Sequence, residues 1–144
     1  MPPAHYAGAL QQHIEFSDQG RAFGFVACAF EQAFHFAQIA QRFFADRWID
    51  APVRPGKAPG AFSHPTTPSA HPYVLMNYQG KPRDVMTLAH ELGHGVHQVL
   101  AAGNGALKAP TSLTLAETAS VFGEMLTFKR LLAQTKNPKQ RQAL

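Results

Sequence analysis

The first helical hydrophobic pattern lies in the N-terminal third of the chain. Apolar residues recur there with a period of about 3.6, as on one face of a helix. They are Phe23, Val26, Phe30, Phe34, Ala37, Ala40, Phe44 and Trp48. The pattern predicts one long amphipathic helix over residues 17–50, with Ser17 or Asp18 as its N-cap. Residues 1–16 show little periodicity, so we expect a poorly ordered start.

Two further helices are predicted in the second half of the chain. The earlier one spans residues 84–101, where Asp84 is placed to cap its start. Its apolar residues are those of a buried helix: Val85, Met86, Leu88, Ala89, Leu92, Val96, Val99 and Leu100. The later one spans residues 111–136, opens after Pro110 and ends before Asn137-Pro138.

Short extended segments separate the first and second helices. Prolines and glycines interrupt residues 51–60 so closely that no regular structure is expected there. Residues 60–78 then hold two short strands, the stronger at Tyr73–Tyr78, and predict a small antiparallel ribbon. Its unpaired edge is either purely structural or a place where an extended peptide adds. In the second case the candidate substrate-binding residues are Gly60, Ala61, Phe62, His64 and Tyr78.

Composition indicates one globular domain, mainly α with this small antiparallel β-ribbon. The chain has 144 residues, 45% of them hydrophobic and 15% charged. The net charge of +4 is scattered and forms no basic stripe among aromatic residues, so no nucleic-acid partner is expected. No apolar run approaches the ~18 residues of a membrane span, and no targeting segment is visible. The single Cys28 excludes an intrachain disulfide and favours a cytoplasmic location.

The candidate chemistry lies in the second predicted helix, at His90-Glu91-Leu92-Gly93-His94. Residues four apart share one helix face, so His90 and His94 can present two imidazole nitrogens to one metal ion. Glu91 lies about 100° round the helix, beside that point, where a carboxylate can reach a water molecule. Two imidazoles beside a carboxylate are typical of a zinc peptidase. The alternative is a helix with two unrelated surface or core histidines.

Two glycines, Gly93 and Gly95, lie inside this same helix. Each destabilises a helix interior by about 1 kcal/mol relative to Ala. A helix tolerates that where another backbone or a ligand must come close, and we expect this approach at the metal site.

A zinc ion held by two histidines needs a third protein ligand and one open position. The metzincin pattern is excluded, because His97 and Leu100 stand where its Gly and His would be. A carboxylate on the following helix remains, and both Glu117 and Glu124 are available there. Glu117 is favoured as the ligand, since the 23 residues after His94 suffice for a helix end, a loop and a return.

Several polar residues around this motif have more than one interpretation. Glu117 also completes a capping box with Thr114, although Thr111 is an equally good cap that would leave the Glu117 side chain free. Glu124 is expected to orient a ligand imidazole rather than to bind zinc itself. His97 is expected to be packed or hydrogen-bonded outside the site, because its spacing from His94 points it past the metal.

Together these segments resemble the M3 metallopeptidases, the group of thimet oligopeptidase and oligoendopeptidase F. The resemblance rests on His90–His94 combined with residues 117–124, and on residues 60–65 and 71–78 upstream. It is dense from about Phe43 to Leu132. It implies a zincin-like (gluzincin) catalytic core with one zinc ion per chain on His90, His94 and Glu117, and Glu91 as the general base. It also implies cleavage of short, unstructured oligopeptides in the cytoplasm.

Members of this family are several hundred residues long and carry a Tyr and a His, well downstream of the metal helices, that stabilise the oxyanion. The present chain is therefore expected to be an incomplete, central piece of the catalytic domain. The eleven Phe residues fit an apolar surface exposed by truncation, through which the chain would self-associate. The favoured function is a zinc-dependent endopeptidase. The alternatives are a zinc-binding but catalytically incompetent fragment or pseudo-peptidase acting as an interaction module, and an all-helical structural protein with fortuitous histidines.

Overall fold

The fold is described for residues 34–142, from a computed structural model. The predicted start at 1–16, the caps Ser17 and Asp18, Cys28 and the helical residues before 34 lie outside the described residues. Within the described range the elements are α1 (Phe34–Ala45), β1 (Ile49–Pro52), β2 (Phe62–His64), β3 (Tyr73–Tyr78), α2 (Pro82–Ala102), α3 (Leu113–Gln134) and α4 (Pro138–Gln142). The chain is mainly helical with one small sheet, so the interpretation as an all-helical protein is wrong.

Helix α1 ends at Ala45, five residues before the predicted end. Its last turn closes by a Schellman motif, in which the Trp48 N–H donates to the Phe43 carbonyl (2.9 Å) and the Arg47 N–H to the Phe44 carbonyl (3.4 Å). Arg47 takes the left-handed conformation at φ 59° that glycine usually supplies at this position. The Trp48 ring packs edge-on against Phe43, at 5.1 Å between centroids. The apolar period continues through Trp48 because this ring still faces the core, although the helix has ended.

Strand β1 corrects the prediction that residues 51–60 contain no regular structure. Ile49–Pro52 pairs in parallel with β3, placing Ile49 opposite Val74 and Pro52 opposite Tyr78. The strand order is β1-β3-β2, so β1 is an edge strand, where proline is tolerated. Lys57 then holds the chain after the strand, since its Nζ donates to the carbonyls of Asp50 and Pro52 (both 2.9 Å).

The predicted ribbon is present as β2 and β3, but it forms part of a mixed sheet rather than a purely antiparallel one. Strands β2 and β3 pair antiparallel, with Ser63 opposite Val74. Strand β1 adds the parallel pairing on the other side of β3. Among residues 34–142, one edge of β2 is therefore left without a neighbouring strand.

The two long helices lie close to their predicted bounds and begin with different capping residues. At the start of α2, the Asp84 carboxylate accepts the backbone N–H groups of Gln79 (2.8 Å) and Lys81 (3.0 Å), so Asp84 caps the helix from its third position. Helix α3 has Ser112 as its N-cap rather than Thr111 or Thr114.

Helix α2 is the central element, in contact with α1, β2, β3 and α3. The largest fully buried side chains come mostly from it and from α1 and β3: Phe43, Val74, Met76, Leu88, Leu92 and Val96. Helix α3 packs on α2 through the small or polar residues Ser120, Gly123 and Thr127. Within residues 34–142, no helix is both long enough and apolar enough to cross a membrane.

The two glycines inside α2 mark two different close contacts. A Cβ built on Gly93 would lie 2.5 Å from the carbonyl oxygen of Ala119 and 2.6 Å from the Cα of Ser120, which are backbone atoms of α3. A Cβ on Gly95 would lie 2.5 Å from the ring of Phe43 on α1. The close approach expected at the metal site therefore holds for Gly93, whereas Gly95 accommodates a core ring.

Replacing Gly93 by Ala should destabilise the protein, because two helix backbones must separate to admit the methyl group. We expect a net loss of about 1–2 kcal/mol in the free energy of unfolding, after the helix-propensity gain of Ala is set against the overpacking. The matched control is Gly103→Ala at the end of α2, where the nearest atom to the new Cβ is 3.6 Å away. Chemical denaturation followed by circular dichroism measures both variants, and equal stability of Gly93→Ala and wild type would contradict the packing account.

Candidate metal centre

Helices α2 and α3 bring three metal-ligating side chains to one point. One turn of α2 presents His90 and His94, and the first half of α3 presents Glu117. One ligand atom from each of the three residues can be chosen so that all lie within 4.8 Å of one another. The helices run antiparallel, since His90 lies opposite Glu124 near one end of the contact and His97 opposite Thr111 near the other.

The distances between these ligand atoms suit a tetrahedral metal ion. His90 Nε2 lies 3.3 Å from Glu117 Oε2, and His94 Nε2 lies 3.7 Å from Glu117 Oε1. Two ligand atoms about 2.0–2.1 Å from one zinc ion at the tetrahedral angle are about 3.3 Å apart. Two imidazoles and a carboxylate also form a donor set found in catalytic zinc sites. The donor set and these two distances therefore fit a zinc ion.

Each histidine has a second contact that fixes its ring. His90 Nδ1 lies 3.2 Å from Glu124 Oε2, which leaves Nε2 directed at the cluster. His94 is hydrogen-bonded to the backbone of Ala116. Burial lowers the pKa of His94, although the nearby Glu117 acts in the opposite direction. A lowered pKa favours neutral imidazole, the form that binds metal.

Ser120 fixes Glu117 and was not identified from the sequence. Its hydroxyl donates to Glu117 Oε2 (2.8 Å), and Ser120 is fully buried where α3 crosses Gly93. This hydrogen bond is the largest cause of a lowered pKa for Glu117, with His94 and His90 adding to it. Glu117 is therefore held as a carboxylate. A signal was available, because a serine three residues after a ligand on the same helix face lies next to it.

Glu91 lies beside the cluster and is largely buried, at 8% exposure. Burial is the main cause of its raised pKa, and Glu117 raises the pKa further. His90 and a hydrogen bond from the backbone of Ser63 oppose this rise. A buried carboxylate of raised pKa next to metal ligands can accept and later release a proton.

His97 lies outside the cluster and contacts Thr111 instead. His97 Nε2 lies 2.9 Å from Thr111 Oγ1, and Thr111 also donates to the Ala109 carbonyl (3.2 Å). The Glu117 carboxylate contacts the two histidines and Ser120 rather than the start of α3, so the capping-box interpretation of Glu117 is wrong.

The candidate substrate residues are divided between the edge strand and the core. Phe62 is 46% exposed on β2, and His64 is exposed at its end. Gly60 and Ala61 precede β2, where the Gly60 carbonyl accepts from Asn77 Nδ2 (3.1 Å). Tyr78 instead packs in the core opposite Pro52 of β1, so its ring does not lie on the free edge of β2.

Comparison with known proteins finds relatives of this chain. The curated "Oligoendopeptidase F, chromosomal" of Lactococcus lactis subsp. cremoris is 33% identical over 110 residues, covering 76% of this chain and 18% of its own. "Oligopeptidase PepF" of Bacillus subtilis is 34% identical over 113 residues, covering 74% and 16%. A crystal structure of a candidate peptidase from Chlamydophila abortus superposes with a TM-score of 0.76 at 27% identity, covering 90% of this chain and 22% of that one.

The chain thus spans less than a fifth of the length of these curated relatives. The profile of "Peptidase family M3" matches residues 29–144, which is most of the chain and includes every residue of the cluster. This match confirms the resemblance seen in the sequence. The chain belongs to peptidase family M3.

Proposed function

We propose that this chain forms the zinc-binding part of a zincin-like metallopeptidase and that it hydrolyses peptide bonds in short, unstructured oligopeptides. The observation that carries the proposal is the convergence of His90, His94 and Glu117 within 4.8 Å, with the buried Glu91 beside them. The names of the curated relatives, oligoendopeptidase and oligopeptidase, support this substrate class. The cytoplasmic location stays a prediction from composition.

One zinc ion per chain would be held by His90, His94 and Glu117. When bound, zinc supplies a Lewis acid that polarises the scissile carbonyl and lowers the pKa of a water molecule. The roles of the other residues follow from their contacts. Glu124 fixes the His90 ring and Ser120 fixes the Glu117 carboxylate, so both keep ligand atoms in place.

Glu91 is the general base in this proposal. Its carboxylate takes a proton from the attacking water and passes it to the leaving nitrogen, so the base is regenerated after each turnover. Burial raises its pKa, which makes the carboxylate a better proton acceptor than an exposed one. Gly60, Ala61, Phe62 and His64, on or beside β2, are the proposed contacts for the extended peptide. The outward backbone groups of Ser63 bond to α2 instead.

A second candidate function is supported by the surface of α3. Five of its large apolar side chains are 47–76% exposed: Leu113, Leu115, Val121, Phe122 and Met125. Exposed apolar side chains of this kind suit contact with another protein surface, including a second copy of the chain. The alternative is therefore a zinc-binding module that lacks catalysis and acts through these exposed side chains.

Replacing Glu91 by Gln should abolish peptidase activity while leaving zinc binding intact. We expect turnover of a quenched oligopeptide to fall at least about 100-fold, because the amide cannot accept the proton. Metal analysis should still give one zinc per chain. Asp46→Asn, which changes an exposed acid paired with Arg42, is the control that should keep wild-type turnover.

The wild-type chain in this assay separates the two candidate functions. Turnover that EDTA removes supports the peptidase, whereas stoichiometric zinc without turnover supports the interaction module. Absence of stoichiometric zinc, together with unchanged melting on adding EDTA, would contradict both.

Replacing Ser120 by Ala should weaken zinc binding without unfolding the chain. The Glu117 carboxylate loses the hydroxyl that holds it (2.8 Å), and such outer contacts are worth about 10- to 100-fold in metal affinity. Competition with a chromophoric chelator measures the change. Ser112→Ala is the matched control, because the Ser112 side chain makes no capping hydrogen bond and should leave the affinity unchanged. Equal zinc affinities for the two variants would contradict the proposed role of Ser120 in holding Glu117.

A further inference from the structure

Gln98 ties strand β2 to helix α2 through two hydrogen bonds to one residue. The hydroxyl of Ser63 donates to Gln98 Oε1 (2.9 Å), and Gln98 Nε2 donates to the Ser63 carbonyl (3.4 Å). A side-chain amide carries the acceptor and the donor that these bonds need. The contact joins residues 35 positions apart and is partly buried, so it fixes tertiary structure rather than a local turn.

The same residue of β2 also contacts Glu91, since the backbone of Ser63 hydrogen-bonds its carboxylate. Glu91 and Gln98 are seven residues apart on α2, so the directions in which their side chains leave the helix differ by only about 20°. The same face of α2 therefore bonds to Ser63 at two places, two helical turns apart. The Glu91 carboxylate accepts the Ser63 N–H, and the Gln98 amide bonds to the Ser63 carbonyl and hydroxyl.

Strand pairing explains why Ser63 is free to make these contacts. In an antiparallel pair, alternate residues direct their backbone N–H and C=O groups toward the partner strand and away from it. Ser63 stands opposite Val74, between the pairs Phe62–Leu75 and His64–Tyr73. Its backbone groups bond to α2, so Ser63 is the outward-facing residue of this three-residue strand.

We propose that Gln98 is a positioning residue for the general base: by fixing Ser63, it holds the Ser63 N–H against the Glu91 carboxylate and so sets the direction of that carboxylate. The inference rests on the proposed function, in which Glu91 is the base. Strand β2 has only three residues and exposed side chains at Phe62 and His64. Without the amide, the short strand loses its side-chain tie to α2, and the N–H loses its fixed position.

The test uses Gln98→Met, which keeps the length of the side chain and removes both hydrogen bonds. Leu100→Met is the matched control, since Leu100 lies on the same helix and is 51% exposed. Amide hydrogen exchange by NMR reports directly on the Ser63 N–H. We expect that amide to exchange about tenfold or more faster in Gln98→Met than in wild type and Leu100→Met. The Val74 N–H, bonded to the Trp48 carbonyl (2.9 Å), should keep its protection and shows that the sheet is intact.

Kinetics give the second readout. In Gln98→Met we expect kcat for the quenched oligopeptide to fall about 10- to 100-fold with KM and zinc content unchanged, because a misplaced base affects the chemical step. Ser63→Ala removes only the hydroxyl bond and should give a smaller fall in kcat that is not additive with Gln98→Met.

Unchanged exchange of the Ser63 amide in Gln98→Met overturns the inference, whatever the activity. A raised KM with unchanged kcat also overturns it, since Gln98 would then contact substrate rather than position the base. Failure of the proposed function shows differently, as a wild-type chain without zinc or turnover, and the exchange measurement still decides whether Gln98 fixes Ser63.

Discussion

The close crossing of α2 and α3 at Gly93 is the constraint on which the rest of the site depends. With no side chain at Gly93, the backbone of Ala119 and Ser120 comes into direct contact with α2. His94 lies one residue after Gly93 and Glu117 three residues before Ser120, so the same contact sets the distance between these two side chains. Glycine destabilises a helix interior by about 1 kcal/mol, but the absence of a side chain at Gly93 allows the two backbones to approach.

Around this crossing, different faces of α2 make different contacts. One face is buried against the sheet and α1 through Leu88, Leu92 and Val96. A second meets α3 and carries the two histidines. Between them, Glu91 is largely buried next to β2, where desolvation raises its pKa while the neighbouring His90 and Ser63 lower it. The two histidines and Glu91 are therefore held by one helix, which suits a preorganised site.

The features predicted correctly from the sequence are those that depend on the pattern within a single helix. The four-residue spacing of His90 and His94 and the apolar period of α2 depend only on helix geometry, and both are observed. Chain length favoured Glu117 over Glu124, and the structure places Glu117 with the two histidines. Ser120 was missed because its role depends on the rotation of α3 against α2, which no local pattern specifies.

The errors in the first third of the described chain have a different cause. Arg47 ends α1 in a conformation that usually signals glycine, while the Trp48 ring continues the apolar period past the end of the helix. Pro52 argued against a strand, yet it lies in the edge strand β1. The parallel pairing of β1 with β3 joins distant parts of the chain. Each of these features is stabilised by tertiary contacts that override local preference.

Zinc K-edge X-ray absorption of the zinc-loaded chain tests the central claim most directly. The account predicts two imidazole nitrogens and one carboxylate oxygen at about 2.0–2.1 Å, with the outer-shell scattering typical of histidine rings. The Glu117→Gln variant should lose the carboxylate contribution while keeping both imidazoles. A wild-type spectrum with a single imidazole, or with oxygen ligands alone, would contradict the claim that the helix crossing at Gly93 assembles a three-residue zinc site.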